Sequence, residues 1–80
     1  MQKQILPLAA LHPGQSARVT QIRVEGALRR RLFDLGLIPQ TKIACRLVAP
    51  AGSPMAVWVR GTLIALRKRD AADILVEALE

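Results

Sequence analysis

Eighty residues make one small domain that buries only about 60–65% of the surface its unfolded chain exposes, so nearly every apolar side chain is needed for the core and no deep pocket is expected. The apolar share is 51%, almost all Leu, Val, Ile and Ala, with Phe33 and Trp58 the only aromatics and no Tyr, which is aliphatic core material and not a base-stacking surface. Twelve Lys and Arg against six Asp and Glu give a net charge of +6, which admits an anionic partner without choosing among nucleic acid, acidic protein and membrane surface.

A single cysteine, Cys45, makes no internal disulfide, and a secreted domain of this size is more often stapled by several, so a reducing compartment, the cytoplasm, is expected. Residues Ile5 to Leu11 follow Lys3 like a very short signal-peptide apolar region, but Pro7 interrupts them and no cleavage site follows. No apolar run approaches the ~20 residues of a membrane-spanning helix, so a membrane role is expected to come through a partner.

In chain order, His12-Pro13-Gly14-Gln15 marks a first turn. Ala17 to Val24 reads as a strand whose apolar parity switches between Val19 and Ile22, placing a bulge near Thr20 or Gln21. From Ala27 to Leu35 the period changes: Leu28, Leu32 and Leu35 fall on one side of a helix, which Gly36 ends with a left-handed cap. Leu37-Ile38-Pro39-Gln40 is a turn, and Ile43, Cys45 and Leu47 then alternate with polar or small residues as a half-buried strand. Residues 49–54, with Pro50, Gly52 and Pro54, form a loop before two strands, Met55 to Arg60 and Thr62 to Lys68, joined tightly at Gly61. Asp70 is expected to cap a single helical turn, with Asp73 in the capping-box position, before Ile74-Leu75-Val76 returns to strand.

The resulting domain, 1–80, is mostly β: a small barrel of about five strands, with one helix after the first strand and a short helical turn before the last. An SH3-like barrel is the economical arrangement, because curling a five-stranded sheet removes exposed edges around one aliphatic layer; an OB-type barrel is the alternative on strand count.

An ordered set of residues runs through this pattern: Arg31-Leu32, Leu35-Gly36-Leu37-Ile38-Pro39, Ala49-Pro50 with Gly52 and Pro54, Gly61-Thr62-Leu63-Ile64-Ala65-Leu66-Arg67, then Ala71 and Ile74. From about Leu8 to the C-terminus the chain resembles the ferrous iron transport protein A family. That resemblance implies an SH3-like fold and an accessory role to ferrous iron transport protein B, a membrane permease with a cytoplasmic GTP-binding domain, hence a place at the inner face of the membrane through that partner. The fold also occurs at the C-terminus of metal-dependent repressors; with no helix-turn-helix pattern ahead of it here, a stand-alone accessory protein is expected. One departure is Pro39-Gln40 where the family has Pro-Gly: a type II turn requires positive φ at the second of these, which costs Gln about 1 kcal/mol.

Catalysis is not expected, since His12 is the only histidine, Cys45 the only thiol, and no nucleophile, base and orienting group assemble. Neither a metal site nor a cofactor is expected, because two good ligands far apart in sequence do not make a zinc or iron centre; adventitious metal at a crystal or dimer contact stays open, as does self-association. Cys45 shares parity with Ile43 and reads as a small buried hydrophobe, and His12 as solvated.

The runs Arg29-Arg30-Arg31 and Arg67-Lys68-Arg69 read first as solvated faces; nucleic-acid binding by a small basic barrel is the alternative function, weakened by the lack of aromatic platforms. Phe33 lies off the leucine stripe beside Arg29 and Arg30, a composition of binding hot spots, against the alternative of a second small core. Trp58 leans outward with Arg60. Arg29, Arg30, Phe33 and Trp58 are therefore the expected partner-binding residues, and Gly36, Pro39, Gly52, Gly61 and Asp70 the turns and caps that define the fold.

Overall fold

The computed structural model describes residues 4–79. Six antiparallel strands form one sheet: β1 (Ile5–Pro7), β2 (Ser16–Ile22), β3 (Lys42–Val48), β4 (Met55–Val59), β5 (Thr62–Leu66) and β6 (Ile74–Leu79), in the spatial order β1-β6-β2-β3-β4-β5. Helix α1 (Gly26–Asp34) follows β2, and the single turn α2 (Lys68–Ala71) precedes β6. The architecture matches the expected strand and helix order, with one strand more than expected.

That extra strand, β1, and the 3-10 turn behind it at Leu8–Ala10 come from a stretch to which the sequence assigned no structure. Three residues are too few to show a period, and β1 exists because Ile5, Leu6 and Pro7 pair with Glu77, Val76 and Leu75 of β6. Pro7 is tolerated because β1 is an edge strand. Leu8 and Leu11 then drop fully into the core.

The bulge expected near Thr20 is there: the β2–β6 register shifts between Val19 and Gln21, and the Thr20 hydroxyl donates to the Leu75 carbonyl at 3.0 Å. The shift puts Ala17, Val19 and Ile22 all inside. A second bulge was not foreseen. The β3–β4 register shifts between Cys45 and Leu47, so Ile43 and Cys45 stay buried while Leu47, expected inside with them, turns outward and is 60% exposed.

The core is aliphatic and, among the described residues, contains no buried polar or charged side chain. Of the α1 stripe, Leu32 is buried and Leu28 and Leu35 pack half-buried against the core. At the end of α1 the Leu37 N–H donates to the Leu32 carbonyl and the Gly36 N–H to the Phe33 carbonyl, with Gly36 at φ +98°, so the expected glycine cap is a complete Schellman motif. Gly52, at φ +85°, turns the 49–54 loop through its N–H bond to the Ala49 carbonyl.

Asp70 does not cap α2. The capping position is Arg67, without a side-chain bond, and Asp70 lies within the turn; the Lys68 N–H is satisfied instead by the Ser53 hydroxyl at 3.1 Å, from a loop fifteen residues back. Asp73 is likewise outside any capping box and receives the Arg23 N–H on its backbone carbonyl. A neighbour brought in by the fold has displaced a local signal.

Pro39 and Gln40 form the turn into β3, closed by the Thr41 N–H on the Ile38 carbonyl, with Gln40 at φ +79°. This is the positive φ that a type II turn demands of its third residue. The Gln40 backbone is clamped on both sides, its N–H by the Val19 carbonyl and its carbonyl by the Arg18 guanidinium at 2.9 Å, so a non-glycine residue is held there against its preference. Gln40→Gly is expected to raise the denaturant midpoint by an amount equivalent to a few tenths to about 1 kcal/mol. An unchanged or lower midpoint in urea unfolding would contradict a strained turn.

Candidate functional site

On the outer side of α1, Phe33 is 37% exposed and the Arg29 guanidinium lies over its ring, 4.9 Å from the centroid. The same guanidinium donates to the Ile22 carbonyl at 2.7 Å, which ties α1 to the end of β2. Arg29 is therefore a positioning group with one face on the aromatic, while Arg30 beside it is exposed and unpaired among the described residues. Both line, with Gly26, Ala27, Arg31 and Asp34, a shallow depression along the helix.

Trp58 lies elsewhere. It sits on the outside of β4, 41% exposed, between Ala44 of β3 and Leu63 of β5, and Leu63 is itself 50% exposed. The adjacent row is Leu47, Ala56 and Ala65. Small residues on this outer face leave Trp58, Leu63 and Leu47 standing proud of the sheet as an apolar strip. Trp58 shares this strip with neither Arg30 nor Phe33, so the four expected residues divide between two surfaces.

Leu63 and Leu47 were missed as site residues. Leu63 was legible: the two-residue turn at Arg60-Gly61 fixes its register opposite Trp58, and both turn residues adopt the positive φ, +51° and +82°, of the tight hairpin expected there. Leu47 was not, because its direction depends on the unforeseen bulge.

Leu63 also borders a groove of about 300 Å³ between β5 and α1, lined by Leu28, Arg31, Leu32 and Leu35 from the helix and by Thr62 to Leu66 from the strand. The groove continues past Arg31 and Leu66 into a more polar depression with Arg23, Arg67, Arg69, Glu25, Asp70 and Asp73. Arg60 leans the other way, over Gly36, where an added Cβ would stand 2.7 Å from its Cδ.

A family model described as the FeoA domain matches residues 6–78. The chain belongs to the FeoA domain family. The solution structure of FeoA from Chlorobium tepidum, 39% identical, superposes with a TM-score of 0.88 over 94% of this chain and 71% of that one. Stenotrophomonas maltophilia FeoA, crystallised with zinc and described as a prokaryotic SH3 domain protein, is 29% identical with a TM-score of 0.77 over 89% of this chain and 88% of that one. A fusion protein of Fe(2+) transport protein A and the Fe(2+) transporter FeoB from Porphyromonas gingivalis is 29% identical over 72 residues, which are 90% of this chain and 8% of that protein's length. The SH3-like fold and the association of the family with ferrous iron transport follow from these likenesses. Among the described residues no helix is long and apolar enough to cross a membrane.

Within this FeoA domain the one thiol and the one imidazole differ in exposure, although their segments are adjacent. Cys45 is buried, with its Sγ 3.9 Å from the carbonyl of Leu11, whereas His12, the next residue, is exposed in its turn. Among the described residues no three His, Cys, Asp or Glu side chains converge in a way that could hold a metal ion. Burial pushes the Cys45 thiol above its ordinary pKa, offset in part by a backbone hydrogen bond from Leu47. A raised folded-state pKa keeps the thiol protonated, so its contribution to stability is complete below the unfolded thiol pKa of roughly 8.5 and is lost as pH rises through the folded value. Cys45 is therefore expected to react with a soluble disulfide reagent at pH 8 only after denaturant is added; rapid reaction of the native protein would contradict the burial.

Proposed function

We propose that the chain is a non-catalytic binding domain of ferrous iron uptake, docking on the cytoplasmic part of a FeoB-type permease and supporting or regulating transport. The observation that carries this reading is the Porphyromonas gingivalis protein, in which a relative of this domain and the Fe(2+) transporter FeoB are one chain. Fusion keeps two units at high effective concentration, which is useful when they act on each other.

The surface offered for docking is the strip of Trp58, Leu63 and Leu47 together with the groove beside β5. A large aromatic flanked by aliphatic side chains, with arginines at the border, has the composition of interface hot spots. Arg30 and Phe33, on the other side of α1, are a flanking contact at most, since Arg29 already covers one face of the ring. The reading needs no chemistry from His12 or Cys45, one solvated and the other buried.

A reconstituted FeoB-type permease in lipid nanodiscs tests it directly. Trp58→Ala is expected to fold normally and to weaken binding by about 1–3 kcal/mol, with Phe33→Ala costing less than about 1 kcal/mol. Nonspecific duplex DNA is the control: a phosphate-driven complex weakens steeply with salt and is insensitive to Trp58. Tight DNA binding with no permease binding would contradict the proposal.

A further inference from the structure

The sheet ends on two edges, β1 and β5, and the chain protects them unequally. β1 has three residues and carries Pro7, the usual devices against strand pairing. β5 has five, Thr62-Leu63-Ile64-Ala65-Leu66, with no charge, no proline and no bulge in its register with β4. An edge of that kind invites another strand unless something covers it.

The tight turn settles which groups face outward. Val59 and Thr62 flank a two-residue loop and must be a hydrogen-bonded pair, so Val57 with Ile64 and Met55 with Leu66 are the other bonded pairs. The N–H and C=O groups of Leu63 and Ala65 therefore point away from β4, toward the open edge. No backbone hydrogen bond from another element reaches them among the described residues.

Helix α1 stands beside this edge without closing it, and the space between them is the groove lined by Leu28, Leu35 and Leu63. The guanidinium groups of Arg31, at the groove, and of Arg67 and Arg69, at its polar continuation, have no hydrogen bond or ion pair to the described residues. Glu25, Asp70 and Asp73 share that continuation with Arg23, Arg67 and Arg69, so its balance is only mildly positive, and the one charge on the groove that runs along β5 is that of Arg31. We propose that β5 is a strand-addition site: an extended segment of the protein partner, with apolar side chains on one face and carboxylates on the other, pairs with Leu63 and Ala65, seats its apolar side chains over Leu28 and Leu35 and places its carboxylates near Arg31, Arg67 and Arg69. Backbone pairing supplies the affinity and the arginines select an acidic sequence. The identity of the partner rests on the permease reading; the site itself does not.

The test follows amide exchange by NMR in the intact domain, using a capped peptide of alternating valine and glutamate as probe, with its valine–lysine counterpart as control. At a peptide concentration about ten times its Kd, exchange at the Leu63 and Ala65 amides is expected to slow about tenfold beyond any change elsewhere in β5, and the lysine peptide is expected to do nothing. Binding without slowing at these two amides, or equal responses to both peptides, overturns the proposal. So does protection that appears on concentrating the domain alone, which would make a second copy the occupant.

Ala65→Pro removes one outward N–H without touching the β4 ladder and is expected to abolish peptide binding. Should that variant misfold, Arg31→Glu on the exposed helix rim leaves the strand intact and is expected to reverse the preference between the two peptides; an unchanged preference overturns the charge argument. Repeating the exchange measurement with the nanodisc permease separates the two readings. Permease binding that leaves Leu63 and Ala65 unprotected overturns strand addition alone, whereas peptide pairing with no permease binding overturns the partner alone.

Discussion

The rest of the structure depends on the pairing of β2 with β6, which joins residues 16–22 to residues 74–79 across almost the whole chain. Closing so long a loop is entropically costly and is offset by burying Ala17, Val19, Ile74 and Val76 completely at the junction. Once β6 lies beside β2, its other edge is filled by β1, and the remaining strands have a single direction in which to grow, through β3 and β4 to β5. The long-range closure thus leaves the last hairpin strand without a neighbour. The exposed edge has that topological origin, and Trp58 and Leu63 of the apolar strip lie on the same hairpin.

Local packing then decides what the hairpin displays. Inward positions of β4 and β5 are taken by Met55, Val57, Val59, Ile64 and Leu66, all buried, so the alternate positions must face out whatever their chemistry. Ala44, Ala56 and Ala65 keep that outer face low around Trp58 and Leu63. Arg60, with its positive φ, makes the tight reversal and lies over Gly36, coupling the hairpin to the end of α1. Helix α1 is tied separately to β2, through Arg29 on the Ile22 carbonyl.

What was legible in the sequence followed from period and turn chemistry. The leucine stripe of α1, the Gly36 cap, the hairpin at Gly61 and the bulge at Thr20 are short-range signals, and each has its expected form in the structure. The failures share a different cause. β1 has no period of its own and exists through β6; α2 takes its N-terminal partner from Ser53 and not from Asp70; Leu47 faces out because of a bulge that only the pairing with β4 reveals. Each is a tertiary contact overriding a weak local preference. Of the expected partner-binding residues, the structure joins Arg29 to Phe33 but sets Trp58 on a separate face with Leu63 and Leu47, a grouping that needed the β3–β4–β5 register to be seen.

These features describe a FeoA domain whose β4–β5 hairpin displays Trp58 and Leu63 and in which, among the described residues, no group of His, Cys, Asp and Glu converges to hold a metal ion. The central claim is that this hairpin meets the permease inside the cell, and site-specific photocrosslinking tests it most directly. A photoreactive phenylalanine analogue is placed at position 63 and, as control, at position 13 in the first turn. The account predicts a crosslink to the ferrous iron permease from position 63 and none from position 13. Equal crosslinking from both positions, or a crosslink from position 13 alone, would contradict it.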